Sequence, residues 1–252
     1  MNEQGAVSVP ISIVRFTVMD NPSCYQQYLS IRYRIFAEEE GWSLPHKRGD
    51  EPIPDPFDDE SLFVMASKRD GIGIGILRGT ELRKRVPYED LIGKYLVNEH
   101  LKEFNGQIAT LNSLAVHREY RRHSFQMLQD RRKESVSFFL LDEIIGWLCE
   151  RGTRIIIAST GSISAARLLY QFGFYILDEP IPFRGPFKRV SNMGLILGDK
   201  VRYREVGSPL VKVESDRKVS DSERAVIKWF RQREVLVLKG RTFDEFVCKS
   251  LG

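Results

Sequence analysis

Residues 151–176 read Arg151-Gly-Thr-Arg-Ile-Ile-Ile-Ala-Ser-Thr160 and then Gly161-Ser-Ile-Ser-Ala-Ala-Arg-Leu-Leu-Tyr-Gln-Phe-Gly-Phe-Tyr-Ile176. Ile155, Ile156, Ile157 and Ala158 form a short apolar, largely β-branched run, which predicts a buried strand. Ser162 or Ser164 can cap the helix that follows, since a short hydroxyl side chain accepts from the unpaired first amides. Gly173 stands where a left-handed residue would stop that helix. Between them Ala166, Leu169 and Tyr170 share one helical face, and residues 174–176 open another strand. This is an α/β unit, and the rest of the chain is read around it.

Upstream, residues 135–150 form an amphipathic helix with Phe138, Leu141, Ile145 and Leu148 on one face, and residues 107–116 a strand. Residues 62–67 and 72–77 make a β-hairpin around Lys68-Arg-Asp-Gly71. Between hairpin and strand lies a polar, helical insertion over residues 82–105. Residues 43–59 are rich in proline and acid and predict a loop. Residues 11–19 predict a first strand. Asn21 and Pro22 then start a helix through Tyr25, Leu29, Ile31, Arg32, Ile35 and Phe36 that ends near Gly41. Downstream, residues 190–197 supply a last core strand.

A tail follows. Ser220-Asp-Ser-Glu223 is a capping box for a helix carrying Ala225, Val226, Trp229 and Phe230, and Thr242 can cap a final helix with Phe243, Phe246 and Val247. Trp229 and Phe230 have to be buried, either on the core or in a homodimer made through this extension. No internal repeats are present. The expected organisation is an α/β domain over 1–199 and a mostly helical basic extension over 200–252.

Charge is unevenly placed. The chain has a net charge of +4, and residues 200–252 carry 13 Lys/Arg against 8 Asp/Glu, so the remainder is close to neutral. Within that remainder residues 117–133 hold six Lys/Arg against two acids. Such a patch suits an acidic or phosphorylated partner, and equally a plain solvated face. For the basic tail helix after Ser220, nucleic acid is the weaker partner, since no recognised motif accompanies that helix. Cys24, Cys149 and Cys248 are far apart and the four histidines lack ligand spacing. Neither a disulfide framework nor a metal site is expected, which points to reduced thiols in a cytoplasm. No apolar run reaches membrane-spanning length, and the polar first residues do not read as a signal peptide.

The Leu168-Leu-Tyr-Gln-Phe-Gly-Phe174 ending, with its flanking strands, resembles the second cofactor motif of the GNAT acyltransferase superfamily. The resemblance implies a GNAT-like mixed central sheet flanked by helices, from about residue 11 to 199. One departure matters. Coenzyme A-dependent members carry Arg/Gln-x-x-Gly-x-Gly/Ala after the fourth strand, where glycines let backbone amides approach a pyrophosphate. The two registers here are Arg121-Arg-His-Ser-Phe-Gln126 and Arg131-Arg-Lys-Glu-Ser-Val136, and neither has a glycine.

The N-terminal third carries Arg32, Phe36, Trp42, then Asp55-Pro-Phe-Asp58, then Arg78. Their order and spacing resemble the signature of acyl-homoserine-lactone synthases and the related N-acyl amino acid synthases. That resemblance implies a fatty acyl donor carried as the phosphopantetheine thioester of an acidic acyl carrier protein, with acyl-CoA as the alternative donor. It also implies a small-molecule amine acceptor. Arg32 and Arg78 can pair with Asp55 and Asp58 to pin the acidic loop, while Phe36 and Trp42 suit a pocket wall. Arg118, Arg121, Arg122, Arg131, Arg132 and Lys133 suit docking to an acidic protein. The lactone synthases have Glu-x-x-Arg on the fourth strand where this chain has Thr110 and Ser113, so N-acyl transfer to another amine is expected rather than lactone formation.

The implied chemistry is attack of an amine on a thioester held near Leu114, Ala115 and Val116 and near Ile156 to Ala158. Backbone amides around Ala115 would face the developing oxyanion. Glu119, His117 and Asp58 are the candidates for the base. By the resemblance Tyr170 protonates the departing thiolate; as a helix residue it reads equally as a core tyrosine. Thr110 and Ser113 can line the amine site. Two other readings stand beside this one: a coenzyme A-dependent N-acetyltransferase with a degenerate loop, and a GNAT-fold binding module without activity.

Overall fold

In the computed structural model the described residues are 10–41, 53–82, 89–121, 123–127, 133–183, 189–212 and 218–251. The strands are β1 (Pro10–Phe16), β2 (Ser61–Lys68), β3 (Gly73–Glu81), β4 (Ile108–Val116), β5 (Ser124–Met127), β6 (Lys133–Ser135), β7 (Ile155–Thr160), β8 (Tyr175–Ile176), β9 (Ile181–Pro182) and β10 (Arg189–Ile196). The helices are α1 (Pro22–Tyr33), α2 (Glu89–Leu96), α3 (Val136–Glu150), α4 (Ile163–Gln171), α5 (Lys200–Val206), α6 (Asp221–Leu238) and α7 (Phe243–Leu251). The strands hydrogen-bond in the order β6-β5-β1-β2-β3-β4-β7-β10-β8, with β9 on β10. The sheet is mixed, as the sequence implied: β1 and β2 are antiparallel, β4 and β7 parallel, β7 and β10 antiparallel. The chain forms two compact units, residues 1–78 with 113–145 and residues 79–112 with 146–252.

The first unit has an aromatic centre. Phe16 on β1 pairs with Phe63 on β2, and their rings stack at 5.4 Å. Tyr28 of α1 meets Phe63 edge-on at 4.6 Å, and Leu29, Ile35, Phe36, Met65 and Ile76 close the cluster. Asn21 caps α1 by accepting from the Cys24 amide at 3.0 Å, with Pro22 in the first turn. The helix does not run on regularly towards Gly41. After Tyr33 it widens into a π-helical stretch, Arg34–Glu39, before Gly41 turns at φ 70°. A second difference lies in the basic segment, where β5 and β6 add two short strands on the β1 edge; their length gives periodicity too little to work on. In α3 the buried face is wider than expected: Phe139, Leu140 and Ile144 join Leu141, Ile145 and Leu148, while Phe138 is half-buried.

The second unit holds the stretch from which the reading began. Ser162 is the cap of α4, accepting from the Ala165 amide at 3.4 Å, and Gly173 ends the helix at φ 102°. Ile155 and Ile157 pack with Tyr175, Leu177, Val190 and Ile196, and the same cluster contains Val226 and Phe230 of α6. The extension is therefore packed within this unit. Ser220 and Glu223 make the expected capping box. Gly194 on β10 has to be small, because a Cβ there would lie 2.5 Å from the Phe230 ring. Below Phe230 a buried polar latch joins α5, α6 and β8: Arg202 binds Glu234 at 2.8 Å, and Tyr175 donates to Asp199 at 2.6 Å. Among the described residues the insertion over 82–105 contains α2 and a 3-10 turn, Lys102–Phe104. The sequence reading had not resolved α5 or β9 as separate elements.

No helix among the described residues is long and apolar enough to cross a membrane. Cys24, Cys149 and Cys248 are free thiols. Among the described residues no group of His, Cys, Asp and Glu is placed to hold a metal ion.

Candidate functional site

Helical spacing puts Tyr25, Tyr28 and Arg32 on one face of α1. Asp58 opens a 3-10 turn just before β2, and Arg78 lies on β3. These elements converge on one carboxylate. Asp58, 1% exposed, accepts on Oδ1 from Arg78 Nη1 at 2.7 Å. Its Oδ2 accepts from the Tyr25 hydroxyl at 2.7 Å, the Asp55 amide at 2.8 Å and Arg32 Nη1 at 3.5 Å. Asp55 completes the turn: its Oδ1 accepts from the Phe57 amide at 3.0 Å and lies 3.1 Å from Arg78 Nη1. Arg32 Nη2 donates to the Ile53 carbonyl at 2.7 Å, which ties the loop to α1.

Two guanidinium groups and two carboxylates balance here, with Arg32, Arg78 and Asp58 all buried. Burial of that many charges is tolerable only because each is paired and hydrogen-bonded. The four residues expected to pin the acidic loop are brought together. Tyr25 is the residue that sequence reasoning missed; burial first, then the Asp58 carboxylate, push its phenol well above the usual tyrosine range, so it remains a donor. The signal was present, in aromatic residues seven and four positions before Arg32 on the same helical face.

Tyr28 is also unanticipated. It is fully buried, Arg32 Cζ lies 5.6 Å from its ring centre, and its hydroxyl makes no hydrogen bond. Burial raises its pKa against the opposing pull of Arg78 and Arg32, and the Ser113 side chain lies beside it. Ser113 itself has φ 58° in the middle of β4, a left-handed conformation uncommon for a residue with a Cβ. Such conformations persist where surrounding structure enforces them, and they cluster at working sites.

The π-helical stretch presents a second charged group. Glu39 Oε1 faces His117 Nδ1 at 3.2 Å, and its Oε2 accepts from Arg121 Nη2 at 3.1 Å and from the Arg118 amide at 3.3 Å. Glu40 Oε1 accepts from Arg121 Nη1 at 2.6 Å, and Arg121 Nε donates to the Val116 carbonyl at 2.7 Å. Arg121 thus has all three of its nitrogens engaged. Of the other basic residues in the segment, Arg118 and Lys133 are exposed.

The remaining expected residues are dispersed. Phe36 is buried in the aromatic core. Glu119 is exposed on a 3-10 turn, and Leu114 and Ser113 are half-buried while Ala115 and Val116 are buried. Thr110, in the other unit, is buried and accepts from Asn112 Nδ2 at 2.8 Å. Tyr170, also there, stacks on Phe243 of α7 at 3.9 Å, with Arg202 Cζ 4.7 Å from its ring centre. Trp42, Arg122, Arg131 and Arg132 lie outside the described residues.

No family model matches the chain, and no curated protein is significantly similar to it. Solved structures share its fold. TofI, in a ternary complex with an inhibitor and MTA, superposes with a TM-score of 0.57 at 18% identity, over 79% of this chain and 98% of TofI. FeeM, an N-acyl amino acid synthase from uncultured soil microbes, gives 0.53 at 9% identity, over 77% and 98%. BjaI, a CoA-dependent acyl-homoserine lactone synthase bound to SAM and isopentyl-CoA, gives 0.52 at 15%, over 87% and 99%. The fold expected from the sequence is the fold these proteins share.

Proposed function

We propose that this chain is an N-acyltransferase that moves a fatty acyl group from an acyl carrier protein thioester to the amine of an amino acid or related small molecule. The observation that carries the reading is the buried Arg32–Asp55–Asp58–Arg78 clasp. These are four of the six residues on which the resemblance rested, and they come together around the Asp58 carboxylate within a fold shared with an N-acyl amino acid synthase. A clasp of this kind holds residues 53–58 in one position, which an acceptor site requires.

In the proposed step the amine nitrogen attacks the thioester carbon, the C–S bond breaks, and the thiolate leaves with a proton supplied by water. The ammonium proton passes to a base. Asp58 has both oxygens engaged, so the role falls to His117, whose Nε2 has no hydrogen-bond partner among the described residues, or to exposed Glu119. The oxyanion contact also shifts from the position expected. The His117 amide donates to the Ile74 carbonyl on β3 at 3.0 Å. Alternate amides of an antiparallel ladder turn to the same neighbour. Ala115 then turns its amide to β3, and Leu114 and Val116 turn theirs away; we assign those two to the thioester oxygen.

The carrier protein as donor is supported by the absence of glycine after β4 and by the ion pairs that already engage Arg121. The fold alone does not select a donor, since BjaI shares it and is described as CoA-dependent. Mixing the protein with acyl carrier thioesters, acyl-CoA and a pool of amines, and reading the products by intact mass, tests the reading. An N-acyl product is expected; no acylated amine from any donor would favour the inactive binding module.

A further inference from the structure

Arg121 begins the first register in which a phosphate-binding loop would lie, yet its guanidinium is held by two carboxylates and a carbonyl. Glu39 and Glu40 stand at the end of the π-helical stretch, and π-helical turns are uncommon and concentrated at functional sites. The wider turn carries both acids to one arginine 81 and 82 residues further along the chain. Three of its five N–H donors are taken and its charge is offset by two carboxylates, so it has little to offer a phosphate oxygen, and an arriving diphosphate would meet two negative charges before the one cation.

From this geometry we infer that Glu39 and Glu40 are specificity-determining residues: they keep Arg121 closed to a nucleotide diphosphate and so bias the enzyme against coenzyme A thioesters. The inference rests on the proposed acyl transfer and adds the residues that set the donor class. The groups facing Arg121 are Glu39 and Glu40 from the π-helical stretch and the Val116 carbonyl at the end of β4. His117 and the Arg118 amide share Glu39 from the turn that follows. Beside Arg121 itself, the donors at hand among the described residues are the His117 ring, through Nε2, and the exposed Arg118 side chain.

The test compares one acyl chain on two donors, acyl-CoA and acyl-pantetheine, which share the arm and the thioester but differ in the nucleotide diphosphate. Any effect of the substitutions on the chemical step cancels in the ratio of kcat/KM for the two. In Glu40→Gln the ratio should move towards acyl-CoA by roughly threefold or more, and in Glu39→Gln/Glu40→Gln by roughly tenfold, the gain of removing one and then two close repulsions. Direct titration with coenzyme A itself should show the same tightening, and adding Arg121→Ala to the double variant should abolish it. Melting curves identify any variant that has failed to fold, in which case Glu40→Gln alone, which changes only the Arg121 contact, decides. An unchanged donor ratio and unchanged coenzyme A binding in folded variants overturn the inference. So does a gain that survives Arg121→Ala. If the wild type acylates nothing, the proposed function fails, and the coenzyme A titration still judges the role of Glu39 and Glu40.

Discussion

At the scale of single residues the account turns on Asp58. Four donors converge on its two oxygens, and removing the charge leaves Arg78 and Arg32 buried with too little to balance them. Asp58→Asn is expected to lose about 3–5 kcal/mol of stability, the usual consequence of breaking a buried pair on one side. A denaturant titration checks this, and a change within about 1 kcal/mol would mean that the clasp is far looser than its distances. Tyr28 makes the opposite case. Its buried hydroxyl has no hydrogen bond, so Tyr28→Phe should leave stability unchanged or raise it by about 1 kcal/mol. A clear loss in the melting temperature would show that the hydroxyl has a partner. Arg32, Asp55, Asp58 and Arg78 were legible in the sequence because charges at those spacings form a pattern. Tyr25, Tyr28, Glu39 and Glu40 were not, because an aromatic residue on a helix face reads as core and an acid run reads as solvated surface.

At the scale of elements, local chemistry was the most readable. Asn21, Ser162 and Ser220 are caps that their side chains announce, and each caps the helix it precedes. The π-helical widening after Tyr33 leaves no such mark, since apolar spacing along residues 31–36 fits a regular helix as well. Strands β5, β6 and β9, of two to four residues, are too short for alternation to show, and they exist because neighbouring strands offer an edge. The docking of α6 against β10 gives a sharp test at this scale. Gly194→Ala places a methyl 2.5 Å from the Phe230 ring, inside contact distance, and β10 cannot yield without disturbing its pairing with β7. It should cost about 1–3 kcal/mol, read as a lowered denaturation midpoint. Phe230→Leu in the same background should recover part of it; no cost from the alanine would mean that α6 is not seated on the sheet as described.

For the whole molecule, the fold class followed from the strand–helix–strand unit around Gly173 and the elements on either side of it. The paired charges after α1 then narrowed the choice within that class. Of Trp229 and Phe230, both expected to be buried, Phe230 enters the core of the unit containing β7 and β10, while Trp229 is half-buried and packs against it. What the sequence left open was which cations after β4 are available, since a count of arginines cannot show that Arg121 is already paired with Glu39 and Glu40. In the proposed reading that local pairing and the missing glycines set the donor, and the shared fold determines neither of them.

The most direct measurement is therefore kcat/KM for one fatty acyl chain presented on acyl carrier protein and on coenzyme A, with the same amine acceptor. The carrier thioester is expected to be preferred by at least about tenfold, equivalent to about 1.4 kcal/mol of differential transition-state binding. Equal use of the two donors, or preference for coenzyme A, would contradict the account.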